Sequence, residues 1–131
     1  LRKDAVTPTN VVWLFAAGGL GALARYLLAG TIQRWAGESF PLGTLVVNVA
    51  GCLLFGIIAA LASERQVISE EARLLFLVGF MGSFTTFSTL AFETGTMLQQ
   101  SQWLSAAVNL VAHNLLGILA LFVGMALAKW L

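Results

Sequence analysis

The residues best able to do chemistry in this chain stand inside long apolar runs, where polar groups are costly. The densest set is Gly79-Phe80-Met81-Gly82-Ser83-Phe84-Thr85-Thr86-Phe87-Ser88-Thr89. Two glycines lead into five hydroxyl side chains, interrupted by phenylalanines. Glycine and β-branched threonine both weaken helix continuity. The pattern therefore predicts a helix broken near the bilayer midplane. A break frees backbone carbonyls, and these survive at that depth only when buried in protein or lining a hydrated cavity. Carbonyls turned inward can hold a cation. Hydroxyls at helical spacing form a ladder for a polar species. A purely structural kink is the plain alternative.

Four further places put ionisable or strongly polar groups where lipid is expected, and each is a candidate for function on that ground. Arg25 lies about one and a half turns from the end of its apolar run. It can snorkel to the interface or stand as a fixed positive charge that attracts anions. Asn48, in Gly43-Thr44-Leu45-Val46-Val47-Asn48, can bond a neighbouring helix or donate its amide N–H groups to an anion. Glu93 is the only acid inside any apolar run, a pattern associated with proton or cation coupling. Asn109 and His113 share one helix face, and Asn114 points about 100° away. His113 is the only histidine in the sequence, so a metal site built on it lacks partners, and a packed histidine is the plainer reading. No nucleophile–base pair, metal cluster or cofactor fingerprint is present, which argues against an enzyme.

The elements that must position these groups follow from composition. Of 131 residues 59% are hydrophobic and only 10% charged, too few charges to clothe a water-soluble domain of this size. The apolar residues fall into four blocks of spanning length, at about residues 11–30, 43–62, 73–98 and 104–130. Together they predict a single all-α membrane domain over residues 1–131, multi-pass in the cell inner (plasma) membrane. The linkers, residues 33–41, 63–71 and 99–102, are short and make successive helices antiparallel. Trp13, Trp35, Trp103 and Trp130 lie near span ends, as an interfacial belt requires. Small residues four apart (Ala17 and Gly21; Gly56 and Ala60; Ala120, Gly124 and Ala128) offer faces for close helix packing. Arg2, Lys3, Arg65, Arg73 and Lys129 fall on one side of the membrane, against Arg25 and Arg34 on the other. That bias favours a cytoplasmic N-terminus; without Arg2 and Lys3 it leaves the orientation open. A net charge of +1 gives no basic face for nucleic acid. The lone Cys52, within an apolar run, reads as a small buried residue.

Three stretches together resemble the small four-helix fluoride channels that protect microbes from fluoride. They are Gly18-Gly19-Leu20-Gly21-Ala22-Leu23-Ala24-Arg25-Tyr26, Gly43 to Asn48, and Gly79 to Glu93, with Thr85-Thr86-Phe87-Ser88-Thr89 the most specific. The likeness covers essentially the whole chain in length, span count and motif order. It implies an antiparallel homodimer with two pores along the subunit contact, and passive export of cytoplasmic fluoride. It also implies one structural sodium ion at the dimer centre, held by the backbone carbonyls of the positions matching Gly82 and Thr85. On the fluoride path it places Asn48, Phe87, Ser88, Thr89, Arg25, Glu93 and Asn114. Fluoride holds water tightly, so its dehydration needs many replacement donors. The positive edge of the Phe87 ring can supply one without attracting cations as its face would.

This sequence departs from the family pattern at three positions. The second pore phenylalanine falls on Leu90, and two polar positions of the fourth span fall on Ile118 and Phe122. Either His113 or Asn109 takes over their task, or one pore is weakened. The departures leave open a channel built from this chain and a homologous subunit. A proton-coupled exporter of small cations, of the other tiny four-span dual-topology type, is the competing reading. It needs a first-span glutamate that this chain lacks, so Glu93 would have to substitute. A non-conducting membrane subunit with a structural kink is the third.

Overall fold

The computed structural model of the chain describes residues 7–64 and 68–131. Arg2, Lys3 and Arg65, which carry part of the charge bias, lie outside the described residues. Four helices are long and apolar enough to cross a membrane, and the described residues contain no strand.

Helix α1 spans Pro8–Ala36. Thr7 caps it, its Oγ1 accepting from the Asn10 N–H at 3.2 Å, and Pro8 supplies a φ already suited to the first turn. The helix continues past the predicted end at Gly30 to a Gly37 at φ +83°, whose N–H returns to the Gln33 carbonyl at 3.0 Å. Gln33, Arg34 and Trp35, expected in a linker, thus form its last turns. The Gln33 side chain explains the extension. Its Nε2 donates to the carbonyls of Gly37 (2.5 Å) and Phe40 (2.9 Å), and its Oε1 accepts from the Gly43 N–H at 3.0 Å. One amide therefore ties the end of α1 to the start of α2, Leu42–Glu64.

The third span, α3, runs over Glu70–Gln99 and is not one continuous helix. An α-helical turn at Glu70–Arg73, capped by Ser69, passes into a π-helical stretch over Leu74–Met81. A last α-turn, Gly82–Phe84, ends where Thr85 and Thr86 become extended, at φ −82°, ψ 158° and φ −150°, ψ 112°. The helix restarts at Phe87 and runs to Gln99. The predicted break is present, at Thr85-Thr86 within the glycine-to-threonine segment. A turn with Ser101 at φ +61° leads into α4, Trp103–Leu127.

Glycines set the closest helix crossings. A Cβ on Gly21 would overlap the Phe80 carbonyl, which fixes α1 against the π-helical part of α3. Gly56 and Gly124 do the same for α2 and α4, each facing the other helix's backbone at Leu121 and Leu53. Ala60 and Ala128 are buried nearby, so the small-residue faces read from the sequence are packing faces. Van der Waals contact of this kind drives helix association where lipid is as apolar as the side chains. The core is small: Val47, Met81 and Phe84, with Phe80 stacked on Phe84 at 5.7 Å between ring centroids. Gly21 is the only residue of α1 that is fully buried. Phe15, Leu20, Leu23 and Leu27 all face outward, a surface made for lipid or for another protein surface.

Candidate functional site

The site is organised around the break. An extended pair of residues inside a membrane helix must find other partners for its peptide groups. Asn48 supplies them for Thr86. Its Oδ1 accepts from the Thr86 N–H at 2.7 Å, and its Nδ2 donates to the Thr86 carbonyl at 3.0 Å. The side-chain amide thus replaces a missing peptide partner on both sides and keeps one N–H uncommitted. Both functions weighed for Asn48 in the sequence are therefore open to it at once: it bonds a neighbouring segment and retains a donor.

Thr86 also caps the restarted helix. Its Oγ1 accepts from the Thr89 N–H at 3.2 Å and lies 2.9 Å from the Thr89 hydroxyl and 3.2 Å from that of Ser88. These substitutions have a consequence upstream. In a continuous helix the Thr86 N–H would serve the Gly82 carbonyl and the Thr89 N–H that of Thr85. Asn48 and the Thr86 hydroxyl take those donors instead. The carbonyls of Gly82 and Thr85 lose their helical partners together. Thr85 Oγ1 is occupied otherwise, donating to the Met81 carbonyl at 3.0 Å.

Beside the break lies a cavity of about 400 Å³ whose lining includes Asn48, Cys52, Thr86, Phe87, Leu90, His113 and Asn114. Phe87 is 80% exposed and Ser88 is exposed, so both look away from the chain's own core. Leu90, at the position of the expected second phenylalanine, is buried. Asn114 is exposed, its Nδ2 donating to the Leu110 carbonyl at 2.7 Å. Ile118 and Phe122 are exposed as well. The polar face of α4 is instead Asn109 and His113, turned toward α3. Asn109 is fully buried and its Nδ2 donates to Thr94 Oγ1 at 3.1 Å. His113 Nδ1 lies 2.9 Å from the Asn109 carbonyl. The expected packed histidine is there.

A second cavity, of about 600 Å³, opens at the end where α1 meets α2, lined by Gln33, Phe40, Thr44, Glu93 and Thr96 among others. Glu93 is half-buried at its wall and accepts a 2.6 Å hydrogen bond from Thr44 Oγ1. Its Oε2 is buried without a partner. Arg25 is half-buried on α1 and lines neither of these cavities; Gly82 is exposed.

The structure therefore gathers Asn48, Phe87, Thr89 and Asn114 around the break, sets Glu93 in a separate vestibule and leaves Arg25 apart. Sequence reading gave no role to Gln33, Thr44 or Thr94. Thr44 carried a usable signal, since it sits one turn before Asn48 on the same face of α2. Gln33 carried none, because its three bonds depend on how the following loop folds back.

Four antiparallel spans, apolar outside and interrupted by a polar-lined gap in the third, define a small multi-pass integral membrane protein. Residues 12–125 match the family described as CrcB-like protein, Camphor Resistance (CrcB), and the chain belongs to that family. It is 50% identical over 120 residues to the fluoride-specific ion channel FluC of Nitrosococcus oceani, covering 92% of this chain and 96% of that protein. The proteins of the same name from Desulforapulum autotrophicum and Magnetococcus marinus are 46% and 37% identical. They align over 90% and 92% of this chain and over 94% and 98% of their own lengths.

Proposed function

We propose that this chain is a passive fluoride-selective channel that lets cytoplasmic fluoride leave down its gradient and so confers fluoride resistance. Membership in the CrcB-like family, with relatives named fluoride-specific ion channels along nearly their full length, supports the substrate. The observation that carries the mechanism is the two-point hold of Asn48 on Thr86. It keeps α3 open at depth, aligns the hydroxyls of Thr86, Ser88 and Thr89, and leaves an amide N–H beside Phe87 for a dehydrated anion. Fluoride then exchanges water for Asn48 N–H, hydroxyl donors and the Phe87 ring edge. Thr44 and Glu93 border the vestibule, and Asn114 the far side of the gap. Arg25 acts at longer range as a fixed positive charge.

A sodium ion held by the Gly82 and Thr85 carbonyls belongs to this reading. Two carbonyls stripped of helical donors are the oxygen ligands a hard cation prefers, and their donor set fits sodium. The ion would add a fixed positive charge near the path. The exposure of Gly82 and Phe87 supports an antiparallel second copy, or a homologous subunit, as the other wall. A proton-coupled cation exporter fits less well, because α1 offers no acidic residue among those described and the donors around the break suit an anion.

The deciding experiment is efflux from liposomes holding the purified chain, read separately with fluoride and chloride electrodes. Rapid fluoride release with chloride retained is the expected result. Equal loss of both ions, or loss of neither, removes the reading.

A further inference from the structure

The channel scheme leaves one side chain without a role although every polar group on it is engaged at the larger cavity. Gln33 is half-buried near the end of α1. Its Nε2 donates to the carbonyls of Gly37 and Phe40 at 2.5 Å and 2.9 Å, and its Oε1 accepts from the Gly43 N–H at 3.0 Å. Both amide hydrogens and the amide oxygen are therefore bound to main chain. Among the described residues no other side chain bonds the backbone of the loop between α1 and α2.

That amide holds one wall of the cavity of about 600 Å³. Glu38, Ser39, Phe40 and Pro41, the loop itself, line the cavity together with Thr44 and Glu93. Gly37, at φ +83°, turns the chain back, and the Phe40 carbonyl takes a second hydrogen from the Leu42 N–H at 2.8 Å. The bond to Gly43 reaches deeper. Gly43 is buried so close to α1 that a Cβ on it would overlap the Ala29 carbonyl, and Ala29 lies about one turn before Gln33. The next residue is Thr44, whose hydroxyl donates to Glu93 at 2.6 Å. Thr44 also shares its helix face with Asn48, one turn on. One amide thus fixes both the loop at the rim and the first turn of α2 at the wall.

We propose that Gln33 is a positioning residue for fluoride entry. It keeps the loop of residues 37–41 folded back from the vestibule and holds Thr44 against Glu93. This rests on the channel reading above. Without the amide, the Gly37 and Phe40 carbonyls turn to other donors, water in the cavity among them, and the loop moves over the opening. Gln33 itself touches no ion. It sets how often the mouth is competent, while the break at Thr85-Thr86 stays as it is. Concentration separates the two steps. At low fluoride the flux follows capture at the mouth, and at saturating fluoride it follows passage beside Asn48 and Phe87. A mouth competent about a tenth of the time captures about a tenth as much, and bound fluoride draws it back to the open form.

Initial fluoride efflux from liposomes holding the full chain, measured from low to saturating fluoride, tests this. Gln33→Met keeps the length and removes all the bonds; Gln33→Asn keeps the amide and withdraws its reach by one methylene. Both should lower efflux at low fluoride about tenfold and leave the saturating rate near that of the wild type. Hydrogen exchange at the Gly43 amide should speed in both variants, with the Thr86 amide unchanged. Efflux reduced in equal proportion at every concentration marks a general loss of fold and overturns the inference. So does wild-type efflux at low fluoride, or a Gly43 amide that exchanges as in the wild type. A wild-type chain that moves no fluoride defeats the channel reading and the entry role with it, whereas a conducting wild type with indifferent variants defeats the entry role alone.

Discussion

Replacing Asn48 with alanine tests whether one side chain holds the third span open. Alanine removes both the acceptor for the Thr86 N–H and the donor to the Thr86 carbonyl. Each buried backbone group left unpaired costs about 1–3 kcal/mol, so the variant should lose about 2–6 kcal/mol of stability. Asn48→Asp separates the two bonds: a carboxylate still accepts from the Thr86 N–H but cannot donate to its carbonyl. Its loss should be roughly half that of alanine, on the same figure per group, and it should conduct no fluoride because the free N–H is gone. Reversible unfolding in detergent gives the stabilities, and hydrogen exchange at the Thr86 amide reports the clamp itself. If alanine lowers stability by less than about 0.5 kcal/mol, below the range for one lost hydrogen bond, and leaves Thr86 exchange unchanged, the clamp is not what keeps α3 apart.

Thr44→Val keeps the shape of the side chain and deletes the 2.6 Å bond to Glu93; a stability loss of about 1.5–3 kcal/mol is expected for a hydrogen bond to a charged group, and an unchanged midpoint would refute it. Phe87→Ala should leave the chain's own packing nearly intact, since the ring is 80% exposed, while stopping fluoride efflux; folded but fully active protein would remove Phe87 from the path. Gly56→Ala and Gly124→Ala each force a Cβ onto the facing helix's backbone and should cost about 1–3 kcal/mol. Because the two sites belong to one crossing, the double variant should cost less than the sum, and strict additivity would show that they do not share it.

Much of this arrangement was legible in the sequence because lipid imposes simple rules. Apolar runs of spanning length located four helices, and the glycine-to-threonine segment located the interruption. The rules carried less information about where chain leaves lipid. Gln33 to Ala36 were expected in a linker and are helical, because one amide bonds three backbone groups contributed by the loop and by α2. The position of the break was also not readable in full. Glycine is the intrinsic weak point, yet Gly79 and Gly82 lie in helical turns, and the opening falls at Thr85-Thr86 where Asn48 competes for the backbone. Propensity named the segment, and a residue from another helix chose the place. The polar departures of α4 follow the same logic. Ile118 and Phe122 face outward, and polarity reappears one face over, at Asn109 and His113, which only the packing of α4 on α3 could reveal.

The hydrogen bonds at the break link fold and chemistry more tightly than either does alone. Asn48 and the Thr86 hydroxyl are acceptors that outcompete the Gly82 and Thr85 carbonyls for two N–H groups. Every donor they capture frees a carbonyl oxygen upstream, so opening the helix and baring two carbonyls are one exchange of partners. The other set of partners is that of a continuous helix, in which the span is closed and the Thr86 N–H serves the Gly82 carbonyl. A bound cation opposes that closure by occupying the freed oxygens, and it does so in proportion to how much better it binds the open form. On the proposed sodium reading, the ion should therefore slow exchange at the Thr86 amide of the wild-type chain. Replacing it with a large organic cation should speed that exchange without altering the amides of α2 and α4. Equal exchange in the two salts would separate the break from the ion and leave Asn48 as its sole support.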